Sequence, residues 1–89
     1  MRTAARRDEI EVDVVIALQN VGCSVWRLND PGVPDLLVGR ARQTYLLEVK
    51  DPKGTLTKKQ RTFHTFWRGG SLSIVRSPSE ALRAVGAIA

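Results

Sequence analysis

Cysteine, histidine and long apolar runs are nearly missing from this sequence. One cysteine, Cys23, and one histidine, His64, occur in 89 residues. A single thiol forms no internal disulfide, so the chain is not a disulfide scaffold. The N-terminus MRTAARRDE turns acidic too early for a secretory leader. With neither disulfide nor leader, a reducing cytoplasm is the expected compartment. No Cys/His cluster suggests zinc, and no glycine-rich loop is offered to a phosphate. No apolar run reaches the length that spans a bilayer, so no membrane partner is expected. There is no internal repeat and no low-complexity tract.

What is present is a small basic protein. At 9.9 kDa the chain supports one domain with a thin core, and a chain this small often gains buried area by oligomerising. Lysine and arginine number 14 against 9 acids, a formal net charge of +5 and a pI near 10.2. Such a field attracts phosphate-rich partners, although charge alone does not separate nucleic acid from an anionic membrane.

Period and punctuation set out the elements. Residues 8–21 read as a helix, with Ile10, Val14, Ala17, Leu18 and Val21 on one face and Gly22 where a helix ends. Its β-branched run Val12, Val14, Val15, Ile16 argues the other way. On that wheel Glu11 falls between Leu18 and Val15, aimed inward, while Glu9 and Asp13 fall on the other flank. Residues 1–7 are expected to be a flexible basic arm, with Arg2, Arg6 and Arg7 in reach of a phosphate backbone.

Strands are expected at 24–28, 33–39 and 44–50. Val25 and Trp26 pack in the first, and the second is apolar enough to be buried on both faces. In 44–50, Tyr45, Leu47 and Val49 point one way and Leu46, Glu48 and Lys50 the other. Thr57-Lys58-Lys59-Gln60 is a capping box. It opens a helix that runs to about residue 68, ends at Gly69-Gly70 and carries Gln60, Phe63 and Trp67 on its inner face. Residues 71–76 form a fourth strand. Ser77, Pro78 and Glu80 then repeat a helix-start signal. The order is α-β-β-β-α-β-α, an α/β class.

Two carboxylates and an amine interrupt segments that otherwise read as buried strand. Pro34-Asp35 opens one run and Glu48-Val49-Lys50 closes the next, with twelve residues between the two acids. An ionised carboxylate is costly to bury unless a cation or strong hydrogen bonds compensate. Phosphodiester hydrolysis needs a hydroxide, neutralised phosphoryl oxygens and a stabilised leaving oxygen. Magnesium on carboxylates supplies much of all three, and it takes only one or two carboxylates from the protein. Asp35 and Glu48 are a matching donor pair. Glu11 is a third ligand, directly or through water, and the Val49 carbonyl a fourth. Lys50, on the face of Glu48, orients the attacking water or stabilises charge on the phosphate. A bare E-x-K usually marks a surface ion pair. A preceding P-D, an inward helix Glu and a following T-x-x-Q helix with an inward Gln make the set far more specific.

As a set these residues resemble the PD-(D/E)xK nuclease superfamily, with P-D at Pro34-Asp35 and E-x-K at Glu48-Val49-Lys50. Within it the chain most resembles the VRR-NUC group, through the segments GVPDLLVG, LLEVKDPKGTLTKKQ and LSIVRSPSEAL. The helix Glu eleven residues before a Gly, Glu11 before Gly22, is shared with archaeal Holliday junction resolvases. The resemblance runs from about residue 9 to residue 82. It implies a restriction-endonuclease-like fold, a mixed four-stranded sheet flanked by helices, and Mg²⁺- or Mn²⁺-dependent DNA cleavage. It implies metal ligation by Glu11, Asp35, Glu48 and the Val49 carbonyl, with Lys50 at the water. Gln60 matches the glutamine that follows the E-x-K strand. VRR-NUC domains are often the C-terminal part of larger proteins. A stand-alone chain of this size resembles minimal phage and bacterial forms, which implies a homodimer acting on four-way junctions.

Arg7, Arg27, Arg40, Arg42, Lys53, Lys58, Lys59 and Arg61 lie around the site in sequence. Each alone reads as a solvated charge; together they read as a rim that holds DNA phosphates without reading bases. The free N–H groups after Thr57 are a further phosphate site. No major-groove recognition helix is evident, so selectivity for structure rather than sequence is expected. His64 is expected to be structural, and Trp26, Phe63, Phe66 and Trp67 to be core or dimer contacts. The leading expectation is an endonuclease that resolves Holliday junctions. Two alternatives stay open: a nicking or end-processing nuclease, and a non-catalytic basic DNA-binding module on the same fold.

Overall fold

The computed structural model describes residues 2–89, with side chains from residue 7 onward. Helix α1 (Arg2–Asn20) leads into β1 (Ser24–Arg27), β2 (Leu36–Arg40) and β3 (Gln43–Val49). Then come α2 (Lys58–Phe66), β4 (Ser71–Val75) and α3 (Pro78–Ala84). The expected element order is the one found. The sheet order is β1-β2-β3-β4, antiparallel except for the parallel pair β3/β4. A parallel pair needs a crossover, and α2 is that crossover.

Helix α1 starts six residues earlier than its apolar period indicates. Ala4, Ala5, Arg6 and Arg7 are good helix formers, so the expected flexible arm is helical over residues 2–7. The side chains of Arg2 and Arg6 lie outside the described residues. At its other end Gly22 N–H donates to Gln19 C=O and Cys23 N–H to Leu18 C=O. Gly22 has φ +88°, and these two bonds make a Schellman stop that only glycine forms without strain. It tucks Cys23 into the core, where burial pushes the thiol pKa up. A raised pKa makes a poor nucleophile.

One face of the sheet is closed. Val14 and Leu18 of α1, with Ala81 of α3 and Val85 just after it, bury Leu36, Val38, Leu47, Val49 and Val75. Each Leu or Val so buried contributes about 1.5–3 kcal/mol. The other face stays partly open. Strand pairing sets Trp26 beside Leu37, Leu37 beside Leu46, and Leu46 beside Leu72, in one row across all four strands. Leu46 is buried, but Trp26 is 69% exposed, and Leu37 and Ile74 are exposed as well.

Three expectations are corrected by this face. The second strand is not buried on both sides, Trp67 is exposed rather than packed on an inner helix face, and of the two roles expected for Trp26, core or dimer contact, exposure removes the first. The common cause is α2, which ends at Phe66, two residues short of the expected end, and buries none of its own side chains. It covers the Glu48 end of the face and leaves the rest bare.

Candidate active site

Register brings the two acids together. Leu36 pairs with Leu47, so the next pair outward is Asp35 and Glu48. Asp35 is pinned there twice: its carbonyl accepts from Leu28 N–H (2.8 Å), and its Oδ2 accepts from Val49 N–H (2.7 Å). Val49 therefore meets Asp35 through its amide.

Glu48 is completely buried on the α2 side of the sheet. Its Oε2 accepts from Gln60 Nε2 (3.2 Å), and His64 Nε2 stands 3.4 Å from its Oε1. Lys50, on the same face two residues on, donates from Nζ to Gln60 Oε1 (2.7 Å). The predicted capping box is present. Gln60 N–H donates to Thr57 Oγ1 (3.2 Å), and Thr57 N–H donates to Gln60 Oε1 (2.8 Å). One glutamine thus starts a helix and holds both polar members of the E-x-K strand.

From the opposite side α1 delivers Glu11, which is buried as its place on the wheel indicated. Its partner is Arg7, one turn earlier. Arg7 Nη1 donates to Glu11 Oε1 (2.9 Å) and Asp35 Oδ1 (3.3 Å), and its Nη2 to Asp8 Oδ1 (2.7 Å). Arg27 Nη1 stands 3.5 Å from Glu11 Oε2. These groups open onto a cavity of about 450 Å³, walled on one side by the 29–32 turn. Gly32 in that turn has φ +86°, and a Cβ there would come within 3.0 Å of Lys59 Cβ on α2.

The acids sit in an electrostatic conflict. Burial first, then a hydrogen bond and charge repulsion from Asp35, push the Glu48 carboxyl up to about 8, against the pull of Lys50 and Arg7. Burial and Asp35 likewise raise Glu11, opposed by Arg7 and Arg27. Burial and then Lys50 lower the His64 pKa, which favours a neutral imidazole. Among the described residues, no three acidic, His or Cys side chains converge as a ready-made metal cage. The donor chemistry nevertheless fits a hard divalent cation. Glu11 and Asp35 already share one cation, the Arg7 guanidinium, and Mg²⁺ or Mn²⁺ favours carboxylates and water over a closed all-protein cage.

The basic residues divide. Arg7 and Arg27 line the cavity beside Lys50. Arg7 is not a free rim charge, because its guanidinium is spent on Asp8, Glu11 and Asp35. Lys53, Lys58, Lys59 and Arg61 are exposed on α2 and the loop before it, although Arg61 Nη1 donates to Leu56 C=O (2.9 Å). Arg40 and Arg42 do not belong to this rim. They sit at the far turn of the β2–β3 hairpin, about 16 Å of strand from Asp35, and Arg40 Nη1 donates to Val85 C=O (3.3 Å). Neighbours in sequence are carried apart by the strand itself.

Sequence reasoning missed two participants, Asp51 and Arg76, and one contact, that of the structural His64 with Glu48. His64 lies one turn beyond Gln60, and that i,i+4 spacing was the available signal. Asp51 is buried just past Lys50, and its Oδ1 accepts from Lys53 N–H (2.8 Å). Arg76 Nη1 donates to the carbonyls of Asp51 (2.7 Å) and Gly54 (2.8 Å), bracing that loop from the end of β4. No local pattern announces the Arg76 contact. Among the described residues no buried side-chain polar atom lacks a partner.

No family model matches the sequence, and no curated protein matches it. A solved structure described as "VRR_NUC domain" is similar to it with a TM-score of 0.75, over 90% of this chain and 94% of that one, at 23% sequence identity. The chain has the fold of a VRR_NUC domain, as the sequence resemblance led one to expect.

Proposed function

We propose that this chain is an endodeoxyribonuclease that hydrolyses phosphodiester bonds with Mg²⁺ or Mn²⁺, acts on branched DNA and works as a homodimer. One observation carries the reading: Asp35, Lys50 and Gln60 line an open, arginine-flanked cavity, and the buried Glu48 behind them is hydrogen-bonded to Gln60 and register-paired with Asp35. Glu11, Asp35, Glu48 and the Val49 carbonyl are the ligands on this reading. The bound cation supplies charge neutralisation at the phosphate and lowers the pKa of its water. Gln60 positions the Lys50 ammonium, which stabilises charge developing on the phosphate or orients the attacking water. Arg27, Lys53, Lys58, Lys59 and Arg61 hold the DNA backbone. The homodimer is supported by the bare apolar row of Trp26 and Leu37, with Ile74 exposed on the same face. Covering that face with a second copy of itself places two sites in one two-fold particle.

The test is cleavage of an immobile four-way junction against linear duplex, flap and single strand, with Mg²⁺, Mn²⁺ or EDTA. Paired symmetric nicks in the junction that vanish in EDTA and in Asp35→Asn and Glu48→Gln are the expected result. Cleavage unaffected by either substitution removes the site assignment. Junction binding without metal-dependent cutting leaves a DNA-binding module.

A further inference from the structure

The guanidinium of Arg7 stands where the carboxylates of Glu11 and Asp35 converge. It takes 2.9 Å and 3.3 Å bonds to them from a single nitrogen, and turns its second terminal nitrogen to Asp8. We propose that Arg7 is a built-in competitor for the divalent cation of this site: it neutralises Glu11 and Asp35 when no metal is bound and withdraws when one enters. This rests on the metal-site reading above.

Several features support the exchange. Arg7 and Glu11 are one turn apart on the same rigid helix, so the arginine leaves by side-chain rotation alone. Its side chain is one-third exposed and lines the cavity, so both positions are accessible to it. Two partly buried carboxylates with no cation between them repel each other, so the arginine keeps the metal-free site together. A guanidinium brings one delocalised charge and a planar fork of donors. A divalent ion brings two charges at a point and draws oxygen ligands inward. Both are cations, so each weakens the other's hold on the same two carboxylates. Arg27 stays within reach of Glu11 Oε2, so Glu11 keeps a counter-charge when Arg7 moves. The released guanidinium remains at the cavity wall, placed for a phosphate oxygen. Metal entry and arginine release are then one coupled equilibrium.

The experiment compares the full chain with Arg7→Gln, without DNA, by measuring free Mn²⁺ with electron paramagnetic resonance. The substitution removes the competitor, so Mn²⁺ binding is expected to tighten by roughly two- to five-fold, the scale of a partly exposed ion pair. In the metal-free state Arg7→Gln should melt at a lower temperature than the unsubstituted chain, and saturating Mg²⁺ should narrow that gap. A measurement on the unsubstituted chain stands beside it. In ¹⁵N-labelled protein the Arg7 Nε–H resonance should shift on Mg²⁺ addition, and Asp35→Asn should abolish the shift. Equal or weaker Mn²⁺ binding by folded Arg7→Gln overturns the proposal while leaving the metal site standing. An Arg7 resonance unmoved at saturating Mg²⁺ does the same. Failure of both proteins to bind Mn²⁺ removes the metal site and this inference together.

Discussion

Lys50 Nζ and Gln60 Oε1 meet at 2.7 Å, and the same oxygen accepts from Thr57 N–H at 2.8 Å. The first turn of α2 and the position of the lysine are therefore set by one atom. Gln60→Ala should lose the capping interaction, about 1 kcal/mol, and leave Glu48 and Lys50 short of a partner. Gln60→Glu is more informative. A glutamate also serves a capping box, so urea unfolding should show stability held to within about 1 kcal/mol of the parent. It cannot donate to Glu48, however, and it sets a second carboxylate beside it. Cleavage should fall by at least about ten-fold. A parental cleavage rate in Gln60→Glu would show that the amide positions nothing that matters.

The buried Glu48 makes stability fall as pH rises. Its carboxyl titrates near 4.5 when exposed and is raised to about 8 in the fold. The folded state thus holds the proton more tightly than the unfolded one. The resulting stabilisation is complete below pH 4.5, declines as pH rises through the window up to about 8, and levels off beyond. Thermal melts in EDTA should show this decline between pH 5 and 8, and Glu48→Gln should flatten it. A divalent cation must displace that proton, so metal affinity should rise across the same window. Parallel pH profiles for the parent and Glu48→Gln would count against it.

Arg76 braces the loop that follows the E-x-K strand through two carbonyls. Arg76→Met keeps the aliphatic stem and removes both charge-assisted bonds. A loss of about 1.5–3 kcal/mol is expected in urea unfolding, with faster amide exchange at residues 51–54. A change below about 0.5 kcal/mol, the usual scale of a surface substitution, would mean that the loop holds itself.

Leu37 sits in the centre of the bare row, between Trp26 and Leu46. Leu37→Lys places a charge there without touching the closed core. Light scattering should show a dimer for the parent and a monomer for the variant, with circular dichroism unchanged. A variant that remains dimeric moves the interface elsewhere.

What the sequence disclosed and what it withheld separate along one physical line. Period-2 parity in residues 44–50 assigned Glu48 and Lys50 to one face. The wheel turned Glu11 inward, and the capping box located the start of α2 to within a residue. Each of these is a local rule that tertiary packing left intact. The missed features depend on distances between elements. Arg40 and Arg42 are near Asp35 in sequence but a strand's length away in space. Arg7 was legible as a basic residue in reach of DNA, but not as the partner of Asp35, because that contact needs α1 laid across the end of β2. The bare half of the sheet was illegible because nothing in residues 33–39 states how far a nine-residue helix α2 will reach.

Helix α2 has one more consequence. None of its side chains is fully buried, and Gln60 and His64 fasten it to the sheet through polar contacts with Glu48 and Lys50. A segment held by polar contacts more than by apolar burial detaches at a smaller free energy than the domain unfolds. Each detachment would carry Gln60 away from Lys50 and admit water to Glu48. The lifetime of the assembled site is therefore the lifetime of α2 on the sheet, and the rigid half of the molecule, for all its packing, does not set it.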